Sequence, residues 1–151
     1  MATGKARLVI FALWLVAYML CILALFLAVR VRRDLGFEWR DAFQMATPIT
    51  SLYVPVLSAF ALFWFRPGTR SSTRRLSLER TLPALGLTLC FQLIMAAGVI
   101  GIVLLSAPPR PDSNVTLPDQ IAGLVHLMSI LSPLATAPSA FLLGVEQIKV
   151  T

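Results

Sequence analysis

Four long stretches of the sequence contain no Asp, Glu, Lys or Arg: residues 8–29, 42–65, 81–109 and 120–145. An α-helix rises about 1.5 Å per residue and needs about 20 apolar residues to cross the core of a bilayer. Lipid offers the backbone no hydrogen-bond partner, so a stretch of this length crosses as a helix. The pattern predicts an all-α membrane protein, an antiparallel bundle of four transmembrane helices at about 8–29, 43–65, 82–106 and 120–145 with short connecting loops.

The composition agrees with a membrane protein. Charged residues make up 13% of the 151 residues, whereas soluble domains carry about 25%, and the mean hydropathy is +0.82. The tails and connections are short, so we expect residues 1–151 to form one four-span domain. No nucleophile, base and acid group together in the sequence, so we expect neither an enzyme nor a bound cofactor or metal.

Basic residues indicate the orientation of the chain. Eight of them lie in the two tails and the second connection, and five lie on the opposite side. Positively charged loops favour the cytoplasm, so we expect both termini there. The net charge of +6 comes mainly from arginines near span ends, where cations meet anionic headgroups, so we expect a bilayer and no nucleic acid as partner.

The second connection, residues 66–80, is rich in arginine. Its candidate contacts for anionic lipid or a cytoplasmic partner protein are Arg66, Arg70, Arg74, Arg75 and Arg80. A docking role for this loop is one reading, and contact with headgroups alone is the other.

Hydroxyl side chains form a stripe on the second and fourth spans. On a helical wheel, the hydroxyls of the second span cover an arc of about 100° and the polar residues of the fourth about 140°. The candidate lining or packing residues are Thr47, Thr50, Ser51, Ser58, His126, Ser129, Ser132 and Thr136. Prolines lie among them, and the candidate hinges are Pro48, Pro55, Pro133 and Pro138.

Two accounts explain these stripes. In the packing account, hydroxyls bond to carbonyls one turn back or across helices and help to satisfy the carbonyls that prolines leave free. In the path account, the second and fourth helices face each other, or copies of themselves, around a hydrated path. His126, the only histidine, is a satisfied structural residue in the first account and a pore-lining or pH-sensing group in the second.

The third span has a different pattern, with a lone amide at Gln92 and several small residues. Ala97 and Gly101 have the small-xxx-small spacing that lets helix backbones approach closely. This spacing predicts a packing seam on the third helix.

Missing motifs exclude some classes of small membrane protein. The first span lacks the embedded carboxylate of a proton-coupled exporter, and the chain lacks a TVGYG-like potassium filter. Cysteine pairs are also missing, because Cys21 and Cys90 lie singly within predicted spans.

The sequence therefore favours a channel or pore formed by self-association, with the polar faces of spans 2 and 4 lining a gated path. The alternative is a membrane-anchoring or regulatory subunit of a larger complex that contacts its partner through residues 66–80.

Overall fold

The computed structural model describes residues 3–32, 37–65, 78–105 and 116–144, and these form four helices. They are α1 (Thr3–Val31), α2 (Trp39–Phe65), α3 (Leu78–Ile100), which continues into a π-helical turn at Gly101–Leu105, and α4 (Leu117–Gly144). Each helix is long and apolar enough to cross a membrane, over Leu8–Val31, Trp39–Leu62, Leu82–Leu105 and Leu117–Ala137. The prediction of four packed, apolar helices is confirmed.

The arginine-rich connection lies largely outside the described residues. Arg66, Arg70, Arg74 and Arg75 fall between α2 and α3, outside the described ranges. Arg80 belongs to α3, but its side chain is also outside what is described. The predicted contacts of this loop therefore stay predictions.

Two helices begin with side chains that satisfy their first backbone amides. At the start of α2, the Glu38 amide donates to Asp41 Oδ2 at 3.0 Å. At the start of α4, the Thr116 amide donates to Asp119 Oδ2 at 3.0 Å, and the Asp119 amide donates to Thr116 Oγ1 at 3.4 Å. This reciprocal pair is a capping box, which explains why α4 begins where it does.

The helices pack in the cyclic order α1, α2, α4, α3. Both α1 and α4 contact α2 and α3, and the diagonal contact between α1 and α4 is smaller. Along the α1–α2 seam, Phe11 contacts Phe60 and Phe26 contacts Trp39. Later positions of α1 thus meet earlier positions of α2.

Aromatic rings fill the interior where α1, α2 and α3 meet. Trp14 and Tyr53 are both 0% exposed, and the Trp14 ring centroid lies 5.6 Å from that of Tyr53 and 5.5 Å from that of Phe91. Tyr53 donates its phenol proton to Gln92 Oε1 at 2.7 Å. Buried rings and this polar bond leave the interior at this level packed rather than open.

The close approach of α3 to α4 lies at Gly98. A Cβ atom at this position would be 2.7 Å from Leu124 Cδ2, closer than real Cβ atoms come to their neighbours. A Cβ at Gly101 would meet nothing within 4 Å, and Ala97 is exposed. The small-residue seam is therefore centred on Gly98 and not on the predicted Ala97–Gly101 pair.

Arg32, the residue directly after α1, binds the π-helical turn into which α3 continues. Arg32 Nη1 donates to the Val103 carbonyl oxygen at 3.0 Å, across 71 positions of sequence. The π-helical turn departs from the regular i to i+4 backbone pattern, and Val103 itself is buried. The arginine therefore joins the ends of α1 and α3.

We expect Arg32→Met to lower the free energy of unfolding by about 1.5–3 kcal/mol, the range for a hydrogen bond that involves a charged group. Methionine keeps most of the apolar stem but cannot donate to Val103. The exposed Arg30, two residues earlier in the last turn of α1, provides the matched control, and Arg30→Met should change stability by less than about 0.5 kcal/mol. Unfolding in mixed detergent micelles measures both, and equal losses would contradict the role given to the Arg32 bond.

Candidate functional site: a polar groove between α2 and α4

An open groove of about 660 Å³ runs between α2 and α4. Its floor includes Phe60 and Val125, which are 5% and 7% exposed. Its polar lining residues are Ser51, His126, Ser129, Ser132 and Thr136. The polar face of α4 and one hydroxyl of α2 thus lie together in a groove on the outer surface of the bundle.

The sequence of α4 explains how these side chains reach the groove. The buried face of α4 includes Val125, Met128 and Ala135. His126, Ser129 and Thr136 each follow one of these buried residues by one position, which turns them by about 100° around the helix. They therefore lie at the edge of the buried face, where α2 is the neighbour.

The groove hydroxyls donate their protons to their own helices. Ser51 Oγ donates to the Pro48 carbonyl oxygen and Ser129 Oγ to that of His126, each at 2.7 Å. Thr136 Oγ1 donates to the Ser132 carbonyl oxygen at 2.9 Å. A hydroxyl has a single proton and two lone pairs, so each of these groups keeps acceptor capacity after this bond.

Ser132 has an additional structural role, because the next residue is a proline. Pro133 has no backbone N–H, and the carbonyl that its amide would otherwise reach, four residues back, belongs to Ser129. Ser132 Oγ donates to that carbonyl oxygen at 2.9 Å. The hydroxyl therefore replaces the missing amide, which is the arrangement that the packing account describes.

We expect Ser132→Ala to lower the free energy of unfolding by about 1–2 kcal/mol, because the Ser129 carbonyl then loses its donor. Pro133→Ala restores a backbone amide, so in that background Ser132→Ala should cost much less. A double-mutant cycle measured by unfolding in mixed micelles gives the coupling between the two positions directly.

Ser129→Ala is the control for this cycle. The His126 carbonyl that Ser129 contacts can also accept from the amide of Ile130 in the regular helix pattern, so the loss should be smaller and independent of Pro133. A Ser132 effect that stays the same with and without the proline would contradict the replacement of the amide.

Three of the predicted lining residues lie outside the groove. Thr47 is exposed and donates to the Phe43 carbonyl oxygen at 3.0 Å. Thr50 lies towards α1, where its Oγ1 is 3.3 Å from the Tyr18 hydroxyl. Ser58 is exposed and is not among the residues that line the groove.

The prolines lie within continuous helices. Pro48 and Pro55 are inside α2, and Pro55 lines the groove. Pro133 and Pro138 lie within α4, and the side chain of Pro138 is outside what is described. Their role as hinges stays a prediction.

His126 is exposed at the groove. Among the described residues, no side chain forms a hydrogen bond or ion pair with its ring. Ser129 donates to the His126 backbone carbonyl, so this geometry does not pair the serine hydroxyl with the imidazole. The groove thus offers hydroxyl oxygens and an imidazole that has no side-chain partner within the described ranges, set among apolar side chains.

Comparison of the chain with protein-family models, with curated proteins and with solved structures gives no match.

Proposed function

We propose that the chain is a multi-pass integral membrane protein that assembles with copies of itself. In this assembly the α2–α4 grooves of neighbouring copies line a narrow path for ions or small solutes. The four long apolar helices support membrane insertion, and the order of contacts along α1 and α2 supports an antiparallel bundle. An even number of spans puts both termini on one side, which is the cytoplasmic side by the distribution of basic residues.

The observation that carries this proposal is the position of the groove. Five polar side chains share one surface of helices that are otherwise apolar enough for lipid. Ionisable groups inside the membrane generally face a bundle interior or a water-filled cavity. A second copy placed against this surface would enclose His126 and the hydroxyls and remove them from hydrocarbon.

The packing of the protomer supports a path between copies over one through a single bundle. Trp14 and Tyr53 are fully buried near the middle of their helices, and Phe91 packs against Trp14. A continuous path at this level would require these rings to move apart. The groove needs no such rearrangement, because it is already open at the surface.

The mass of the protein purified in nanodiscs, followed by current recordings in planar bilayers, tests the proposal. We expect a homogeneous assembly of this one chain that conducts. A monomer without conductance would contradict it. A second protein in fixed stoichiometry, lost when Arg70, Arg74 and Arg75 are replaced together, would favour the subunit role through residues 66–80.

A further inference from the structure

We infer that the path lined by the α2–α4 groove conducts small monovalent cations in preference to anions. This inference rests on the proposed function and names the class of ion that the same groove accepts. It follows from the direction of the hydrogen bonds that the groove hydroxyls make.

The direction of these bonds is fixed by chemistry. A backbone carbonyl has no proton to donate, so each hydroxyl that contacts one must be the donor. Ser51, Ser129 and Ser132 contact carbonyl oxygens in this way at 2.7–2.9 Å, and Thr136 does the same at 2.9 Å. The four groove hydroxyls among the described residues therefore have their only proton engaged within their own helix.

What remains available to a permeating species is oxygen lone pairs. Oxygen ligands bind hard cations, and filters that select cations commonly replace the hydration shell with oxygen atoms. An anion needs N–H or O–H donors in place of its water. To supply one, a groove hydroxyl would have to give up its bond to the helix, and at Ser132 this would expose the Ser129 carbonyl next to Pro133.

The remaining lining residues do not reverse this preference. Apart from the hydroxyls and His126, the described lining residues are apolar, and none of these described residues carries a carboxylate, an ammonium or a guanidinium group. His126 offers one N–H donor and one acceptor when its ring is neutral. Among the described lining residues, free hydrogen-bond acceptors thus outnumber free donors. Several copies around one path would repeat this excess of acceptors.

Reversal potentials under a KCl gradient across a planar bilayer test the inference with the full-length chain. We expect the current of the unsubstituted protein to reverse near the potassium equilibrium potential. Ser129→Ala removes one acceptor from each copy and should lower the ratio of potassium to chloride permeability about fivefold, the equivalent of one contact of about 1 kcal/mol.

Thr47→Val is the matched control. Thr47 also donates its proton to its own helix, but it lies on the exposed surface of α2 outside the groove. This variant should keep the ratio of the unsubstituted protein.

The possible failures separate the two proposals. Currents that reverse near the chloride potential, or an equal drop in ratio in both variants, would overturn the cation preference and leave the path in place. A well-formed assembly with no conductance would overturn the path, and the ion preference with it.

Discussion

Replacing Trp14 by Ala should lower the free energy of unfolding by about 3–5 kcal/mol, the usual cost of truncating a large buried aromatic residue. The Trp14 side chain is 0% exposed and packs on Tyr53 of α2 and Phe91 of α3. Its removal leaves a cavity where three helices meet. Because the Trp14 ring packs on Tyr53, its loss should also weaken the hydrogen bond from Tyr53 to Gln92. Unfolding in mixed micelles measures the total change in the free energy of unfolding.

Trp39→Ala provides the control, because Trp39 is 53% exposed at the start of α2. Its ring centroid lies 5.8 Å from that of Phe26, so some packing is lost, and we expect a change of about 1 kcal/mol or less. Similar losses at both positions would show that the three-helix aromatic cluster does not hold the bundle together.

Ser51→Leu should abolish conduction while the protein stays folded and assembled. Ser51 is exposed and lines the groove from the α2 side, so a leucine there puts apolar bulk into the proposed path and removes an oxygen from it. The bond that Ser51 makes to the Pro48 carbonyl is lost, but that carbonyl can still accept from the Leu52 amide in the helix. Planar bilayer recordings and the mass of the assembly are the measurements.

Ser58→Leu makes the same change on the same helix outside the groove. Because Ser58 is exposed, the variant should fold and conduct like the unsubstituted protein. If Ser51→Leu conducts normally, or if both variants fail alike, the groove does not line the path.

The helices could be placed from the sequence because each of them covers most of one long stretch without charged residues. Each helix begins before its predicted span, however, since α1 begins at Thr3, α2 at Trp39, α3 at Leu78 and α4 at Leu117. A helix can continue through the interface, where water and headgroups accept charged side chains. At the start of α2, the hydrogen bond from the Glu38 amide to Asp41 Oδ2 caps the helix. Hydropathy alone does not predict such a cap.

The groove contains more of the polar stripe of α4 than of the polar stripe of α2. His126, Ser129, Ser132 and Thr136 all line the groove, whereas Ser51 is the one predicted hydroxyl of α2 that does. A helical wheel gives the angles between side chains of one helix but not the directions in which its neighbours lie. Since α2 touches α1 on one side and α4 on another, an arc of about 100° is wide enough to reach both.

Contacts between residues far apart in the chain could not be predicted from the sequence. Gln92 stood out as a lone amide in an apolar helix, but nothing marked Tyr53 as its donor, 39 positions away. The π-helical turn at Gly101–Leu105 and its contact with Arg32 likewise depend on how α1 packs against α3. Such contacts are set by tertiary packing, which local patterns do not encode.

Cysteine cross-linking in native membranes tests the central claim most directly, namely that copies of the chain meet at the α2–α4 groove. Ser129→Cys would be made in a Cys90→Ala background, because Cys90 is exposed and Cys21 is buried. Leu93→Cys is the comparison, since Leu93 is 59% exposed on α3 outside the groove. The account predicts covalent dimers on mild oxidation with the cysteine at 129 and few with the cysteine at 93. Dimers at 93 but not at 129, or none at either position, would contradict it.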